Sequence, residues 1–143
     1  MEIRGLASAD AEAIASWRYP GRYSTYDVDD PSVLASDHWV VTEAGELIGY
    51  CCFGAAARVP GAEQQPGTLD VGYGVAPDLM GQGLGRRFVD AVLDFAFERY
   101  HPARLRLFIL DWNERSRKVA EWLGFEVESV LDSDEGRFLM MVR

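Results

Sequence analysis

Three glycines at alternate positions, Gly81, Gly83 and Gly85, stand immediately before Arg86 and Arg87 and a run of helical periodicity. Backbone N–H groups at bare glycines can close on a bulky oxyanion, and the first turn of a helix adds unsatisfied donors and the positive end of its dipole. The chemistry this spacing points to is a phosphate cradle made of Gly81, Gln82, Gly83, Leu84, Gly85 and Arg86. No Gly-Lys-Ser/Thr follows, so it is not a Walker loop. A truncated dinucleotide-binding domain stays open as a reading. Against it, the third glycine falls one place early and the chain holds one strand-helix-strand crossover where two are needed.

Asp70 and Val75 lie on a segment, Leu69 to Val75, whose alternation sends Leu69, Val71, Tyr73 and Val75 to one face and Asp70, Gly72 and Gly74 to the other. A carboxylate then ends a track with almost no side chains, where it could take a proton from an amine as general base or anchor an ammonium. A surface aspartate beside a bulge is the structural alternative. The two strand glycines imply a bulge or splay that frees a backbone N–H near Val75 for a developing oxyanion. Asn113, Ser116 and Ala120 recur at helical spacing on one face, with Val119, Trp122 and Leu123 expected on the buried one, and Asn113 is equally suited to N-capping. Between residues 17 and 27, Trp17, Tyr19, Tyr23, Tyr26 and Asp27 could wall an amine pocket or pack a helix end. Cys51 and Cys52 are neighbours in an apolar segment and read as core rather than as a disulfide or a nucleophile. His38 and His101 have no partners at zinc-ligand spacing, so no metal is expected.

These residues need elements to hold them. Glu2 to Leu6 reads as a strand, followed by a helix N-capped by Ser8 and stopped by Pro20-Gly21. Asp29-Asp30-Pro31 begins a turn or short helix. His38 to Thr42 and Glu46 to Ala57 form a hairpin, and Thr68 to Val75 the next strand. Leu84 to Tyr100 is the strongest helix, with Leu84, Phe88, Val92, Phe95 and Ala96 on one face. Arg104 to Leu110 reads as a central strand, Asn113 to Leu123 as a helix ended by Gly124, and Phe125 to Leu131 with Arg137 to Val142 as a closing hairpin. The expected fold class is α/β: one mixed, mostly antiparallel sheet flanked by helices, in a single domain over residues 1–143.

Composition narrows the partners. The formal net charge is −9, with 48% apolar and 26% charged residues, which fits a folded globular protein and disfavours binding to nucleic acid or anionic membrane. From Gly81 to Lys118 there are eight basic and five acidic residues, an island of +3 in a chain whose remainder carries −12. This suggests a small polyanion bound beside a surface that welcomes a cationic acceptor, Asp27, Asp29, Asp30 and Asp70 among its acids; chance clustering on solvated helix faces is the alternative. The longest uncharged run, Leu47 to Ala57, falls short of the roughly 20 residues of a membrane helix. The N-terminus has no secretory pattern, so a cytoplasmic location is expected.

Read together, Val75-Ala76-Pro77 through Gly81-Gln82-Gly83-Leu84-Gly85, Asn113-Glu114-Arg115-Ser116 and Leu123-Gly124-Phe125 resemble the GNAT superfamily of acetyl-CoA-dependent N-acetyltransferases, from about residue 45 onward. The resemblance implies a pyrophosphate on the loop N–H groups from Gly81 to Arg86 and a pantetheine arm along Tyr73 and Val75, faced by Asn113 and Ser116. It implies direct attack of an amine on acetyl-CoA in a ternary complex, without metal. The family usually has Arg or Gln where this chain has Met80, and often a tyrosine acid for the thiolate where it has Ala120. Those two positions keep a non-catalytic acyl-CoA-binding or sensing module as the alternative. Ser116 with Ala120 is similar to the branch of ribosomal-protein N-terminal acetyltransferases and their small-molecule relatives. The acceptor, a small-molecule amine or a protein N-terminus, and the oligomeric state are not spelled by any residue.

Overall fold

The computed structural model describes residues 1–34 and 37–143. Seven strands, β1 (Glu2–Gly5), β2 (His38–Glu43), β3 (Glu46–Phe53), β4 (Thr68–Val75), β5 (Arg104–Leu110), β6 (Glu126–Ser133) and β7 (Gly136–Val142), form one sheet in the order β1-β2-β3-β4-β5-β7-β6. Every neighbouring pair is antiparallel except β4 and β5. That parallel pair is the crossover through helix α2 (Gly85–Tyr100), as the alternation of apolar strand and amphipathic helix requires.

The two faces of the sheet are dressed differently. Helix α2 buries Phe88, Val89, Val92, Leu93 and Ala96 against Val41, Cys51, Val71, Leu107 and Met141. Helix α3 (Glu114–Trp122) lies beside it and adds Ala120 to the same core. Helix α1 (Ser8–Ser16) covers the opposite face, where Ala11 and Ile14 pack on Val40 with Trp17 and Tyr50 at the margin. The parity of β2 makes this division: Val41 faces one core and its neighbour Val40 the other. Among the described residues no helix is long and apolar enough to cross a membrane.

Several boundaries move by a residue or two. Helix α1 is capped at Ala7, not Ser8: the Ala7 N–H donates to Asp10 Oδ2 at 2.9 Å, and Asp10 also receives Arg4 Nη1 at 2.7 Å. A carboxylate three residues beyond the cap thus reaches back to the cap N–H, one half of a capping box, while Ala11 N–H already bonds the Ala7 carbonyl at 3.1 Å and starts the helix one residue before Ser8 could cap it. The helix ends at Ser16, before Pro20-Gly21, and residues Gly21–Tyr26 form a 3-10 turn. Strand β3 stops at Phe53 and Gly54–Ala57 becomes another 3-10 turn. Asn113 caps α3 through Oδ1 and the Ser116 N–H at 3.2 Å, and Gly124 takes φ +92° just past its end. Trp122, expected in the buried face of α3, is 64% exposed and lies under the Arg86 guanidinium. Ala120 takes the buried place instead, because the small side chain lets α3 sit close to the sheet.

The Arg4 guanidinium, hydrogen-bonded to Asp10, holds that carboxyl below the usual carboxylate range. Its contribution to stability is therefore complete above the unfolded value of about 3.9 and is lost as pH falls through the lower folded value. Asp10→Ala should cost about 1–2 kcal/mol at neutral pH, with the deficit nearly unchanged at pH 5 and shrinking only below about pH 4. Urea melts of both proteins across that range check it; a deficit constant down to pH 2 would remove the charge from the explanation.

Candidate active site

Strands β4 and β5 pair only from Thr68/Arg104 to Val71/Leu107. Beyond that point β4 continues to Val75 along β3 and β5 continues to Leu110 along β7. Two strands that part company leave a wedge in the sheet, and a cavity of about 350 Å³ occupies it. The splay expected from Gly72 and Gly74 is thus present, and no register shift interrupts β4 against β3.

The backbone of β4 points into the wedge. Val75 lies opposite Gly49, and the next pair is bonded by the Ala76 N–H to the Ile48 carbonyl at 2.9 Å. Bonded and non-bonded pairs alternate in an antiparallel ladder, so the Val75 N–H and C=O turn away from β3, toward the side that β5 has left. The carbonyl accepts the Tyr19 hydroxyl at 2.6 Å. The N–H is directed to the cavity, where it can meet negative charge developing on an oxygen.

The helical side of the cavity is lined by Tyr73, Val75, Gly85, Ser116 and Val119. The Tyr73 and Ser116 hydroxyl oxygens are 3.5 Å apart, and burial pushes the Tyr73 phenol up, with the Ser116 contact opposing it. Asn113 lines the cavity too, but both ends of its amide are engaged: Oδ1 caps α3 and Nδ2 donates to the Tyr26 hydroxyl at 2.9 Å. Its part is to tie α3 to the aromatic segment. The glycine loop abuts this side through Met80 and Gly85. Gly81 and Gly83 adopt φ +73° and +79°, the left-handed region that favours glycine. No side chain caps the α2 N-terminus, its first turn carries no acid, and nothing lies within 4 Å of where a Gly83 side chain would begin. Gln82 and Leu84 line a shallower depression with Gly83 and Arg87, and Arg86 stacks on Trp122 at 3.6 Å.

On the other side of the sheet, Phe108, Leu110 and Phe138 form the floor and Tyr19, Tyr23 and Tyr26 a wall. Tyr23 and Tyr26 pack against Trp112, with centroids 5.3 and 6.0 Å away. Burial raises the Tyr19 and Tyr26 phenols. Gly74 has no side chain where one would meet the Tyr50 ring at 2.6 Å, so Tyr50 crosses β4 and joins the lining. Trp17 and Asp27, expected in this wall, are elsewhere: Trp17 packs on Tyr50 at 6.3 Å, and Asp27 Oδ1 accepts the Tyr19 N–H at 2.8 Å, fixing the loop from behind.

Asp70 departs furthest from expectation. It is buried, its side chain 1% exposed, and both oxygens are taken. Oδ1 accepts Arg106 Nε at 2.6 Å; Oδ2 accepts Arg106 Nη2 at 3.0 Å and Arg58 Nε at 2.8 Å. Arg106 Nη2 also donates to the Glu63 carbonyl at 2.8 Å. Asp70 follows the parity predicted for it, but on that face it meets two arginines rather than the cavity. It clamps the loop of residues 54–67 to the sheet. Cys51 and Cys52 are buried free thiols pushed up to about 12 by burial, which leaves neither a nucleophile at neutral pH.

Sequence reading missed Phe108, Leu110, Phe138, Tyr50, Val59 and Glu135. The β5 parity that puts Arg106 on the Asp70 face also puts Phe108 and Leu110 there, a signal available once β4 and β5 are paired. The hairpin tip bearing Glu135 reaches the site only through the order β5-β7-β6, which no local pattern encodes.

A sheet that opens between its fourth and fifth strands, with a glycine loop and helix start beside the opening, is the frame of the site. Residues 1–126 match the acetyltransferase (GNAT) domain model. The chain belongs to the GNAT acetyltransferase family. An aminoglycoside acetyltransferase, AAC(6')-Ib, solved in complex with coenzyme A, superposes with a TM-score of 0.79 at 21% identity over 99% of this chain and 92% of that one. A spermidine N-acetyltransferase chimera from Vibrio cholerae and hSSAT gives 0.73 at 17%, over 99% and 93%. The ribosomal-protein-S5-alanine acetyltransferase from Vibrio fischeri gives 0.66 at 20%, over 99% and 91%. At these identities the likeness is one of fold.

Proposed function

We propose that the protein transfers the acetyl group of acetyl-CoA to an amine, carried by a small molecule or a protein N-terminus, by direct attack in a ternary complex. The observation that carries this reading is the cavity itself, which passes through the sheet and is lined from both faces, so that two substrates can meet at the Val75 N–H from opposite sides. The residues fit acetyl-CoA: uncapped N–H groups from Gly81 to Arg86 for the pyrophosphate, and Tyr73, Val75 and Ser116 along the pantetheine arm, with Asn113 holding α3 in place beside it. Acetyl-CoA supplies a thioester whose carbonyl carbon takes the amine nitrogen while the C–S bond breaks and the thiolate leaves. The Val75 N–H stabilises the oxygen as it gains charge. The amine must arrive unprotonated, and with Asp70 spent on arginines, solvent is the proton's destination.

The test is release of CoA thiol on incubation with acetyl-CoA and a panel of amines, beside a thermal melt with acetyl-CoA alone. Stabilisation by acetyl-CoA with thiol release is the expected result. Stabilisation without release from any amine would assign the non-catalytic acyl-CoA module instead.

Ser116 and Tyr73, hydroxyls that line the cavity 3.5 Å apart, are the candidates to hydrogen-bond the departing sulfur. A thiol has an ordinary pKa of about 8.5, so its thiolate leaves tolerably without full protonation. Ser116→Ala should therefore lower kcat by roughly tenfold or less, about 1.4 kcal/mol of barrier. A loss beyond a hundredfold would make thiolate protonation the limiting step.

A further inference from the structure

The acceptor half of the cavity has a chemistry of its own. Its floor is Phe108, Leu110 and Phe138, and its walls add tyrosine rings and, from the 54–67 loop, Ala57 and Val59. Among the described residues lining the cavity, Glu135 is the sole acid and Arg115 the sole base. Glu135 sits exposed at the tip of the β6–β7 hairpin, at the rim.

Of the acids that made a cationic acceptor attractive, none lines the cavity, and all but the exposed Asp29 hold hydrogen bonds of their own. Asp70 is shared by two arginines, Asp27 holds the Tyr19 N–H, Asp30 caps the Ser32 N–H at 2.9 Å, and Asp29 lies 3.8 Å from Arg18. Two hydroxyls are engaged as well, Tyr19 on the Val75 carbonyl and Tyr26 by Asn113. An ammonium taken from water into such a lining needs its own partner, and one left unpaired is heavily penalised. One such group can be met by Glu135 and the faces of the tyrosines; a second or third finds no carboxylate. The cavity, at about 350 Å³, lies near the small end of ligand sites and must also admit the thioester.

Resting on the transfer reading above, we infer that the acceptor is a monoamine carried on an aromatic or aliphatic body, and that polycationic amines are poor acceptors. Glu135 at the rim and the tyrosine faces receive its ammonium on entry, the proton passes to solvent before the nitrogen reaches the thioester at the Val75 N–H, the apolar floor takes its body, and Val59 sets the preference from the loop.

The experiment uses the wild-type chain with saturating acetyl-CoA and measures thiol release with phenethylamine, hexylamine and the peptide Phe-Ala-Ala-amide, against spermidine and kanamycin. A parallel thermal melt reads binding of each amine to the CoA-bound protein without turnover. At least one monoamine should exceed both polycations in kcat/KM by tenfold or more; which monoamine wins separates a small-molecule from a peptide source. Equal or better kcat/KM with spermidine or kanamycin would overturn the inference. If no amine releases thiol while monoamines alone stabilise the CoA complex, the transfer reading fails and the assignment of the cavity stands. Val59→Asp, which adds a carboxylate to a half-buried loop position, should narrow the monoamine preference at least threefold; an unchanged ratio in the folded variant counts against Val59 as a determinant.

Discussion

Replacing Arg106 by leucine should lower the stability of the protein by about 3–5 kcal/mol, the usual cost of leaving a buried charge without its partner. The side chains of Arg106 and Asp70 are 2% and 1% exposed, and two hydrogen bonds of 2.6 and 3.0 Å join them. Without Arg106, Asp70 keeps only Arg58, which is 20% exposed and reaches one oxygen. Asp70→Asn should also destabilise, because a neutral amide leaves the buried guanidinium uncompensated. Removing both charges, as Asp70→Val with Arg106→Leu, should recover most of the loss, since an apolar pair of similar bulk avoids the desolvation of two ions. Urea denaturation of the two single variants and the double variant measures the coupling. The same Asp70→Asn protein separates a structural carboxylate from a catalytic one. A variant of wild-type stability that had lost a hundredfold in kcat would return Asp70 to the role of base. Reduced stability with kcat within a few fold, measured where the variant is folded, fits the clamp.

That pair also marks where sequence reading runs out. Alternation along Leu69 to Val75 placed Asp70 on the correct face, and β4, β5 and the closing hairpin were legible because apolar periodicity and turn residues are local signals. What faces Asp70 depends on the register of β4 against β5, which sets Asp70 beside Arg106. That pairing crosses 36 positions of sequence and a whole helix, and Arg58 arrives from a loop with no periodicity at all. The glycine loop was readable for the opposite reason: Gly81, Gly83 and Gly85 lie within five residues of one another, and the positive φ of Gly81 and Gly83 follows from the residue type. The tyrosine cluster was half legible. Density of aromatics marked the segment, and 3-10 winding over Gly21–Tyr26 then decided that Tyr23 and Tyr26 face the cavity while Trp17 joins the α1 core. Glu135 stood in a turn that looked like connection only.

Gly83→Val should abolish most of the stabilisation that acetyl-CoA gives the protein. At about 100 times its dissociation constant, a ligand confined to the native state adds roughly 2.7 kcal/mol, a shift of several degrees in melting temperature. Gly83 holds φ +79°, with open space where a side chain would begin. Valine there brings two costs of different kinds. A β-branched residue at positive φ is strained, by roughly 1–2 kcal/mol, and this lowers the melting temperature of the unliganded protein. The branched side chain also stands over the N–H groups proposed to hold the pyrophosphate, and on that proposal it lowers affinity. The quantity to compare is therefore the ligand-induced shift in each protein, not the melting temperatures. Gly54→Val makes the control: Gly54 has φ +69° and open space of the same kind, but it follows β3 at the end of that strand away from the glycine loop and lines neither the cavity nor the depression at Gly83. It should suffer the strain and keep the full acetyl-CoA shift. A Gly83 variant that retains an undiminished shift would mean that the loop does not hold the pyrophosphate. Equal losses of shift in both variants would attribute the effect to a weakened fold.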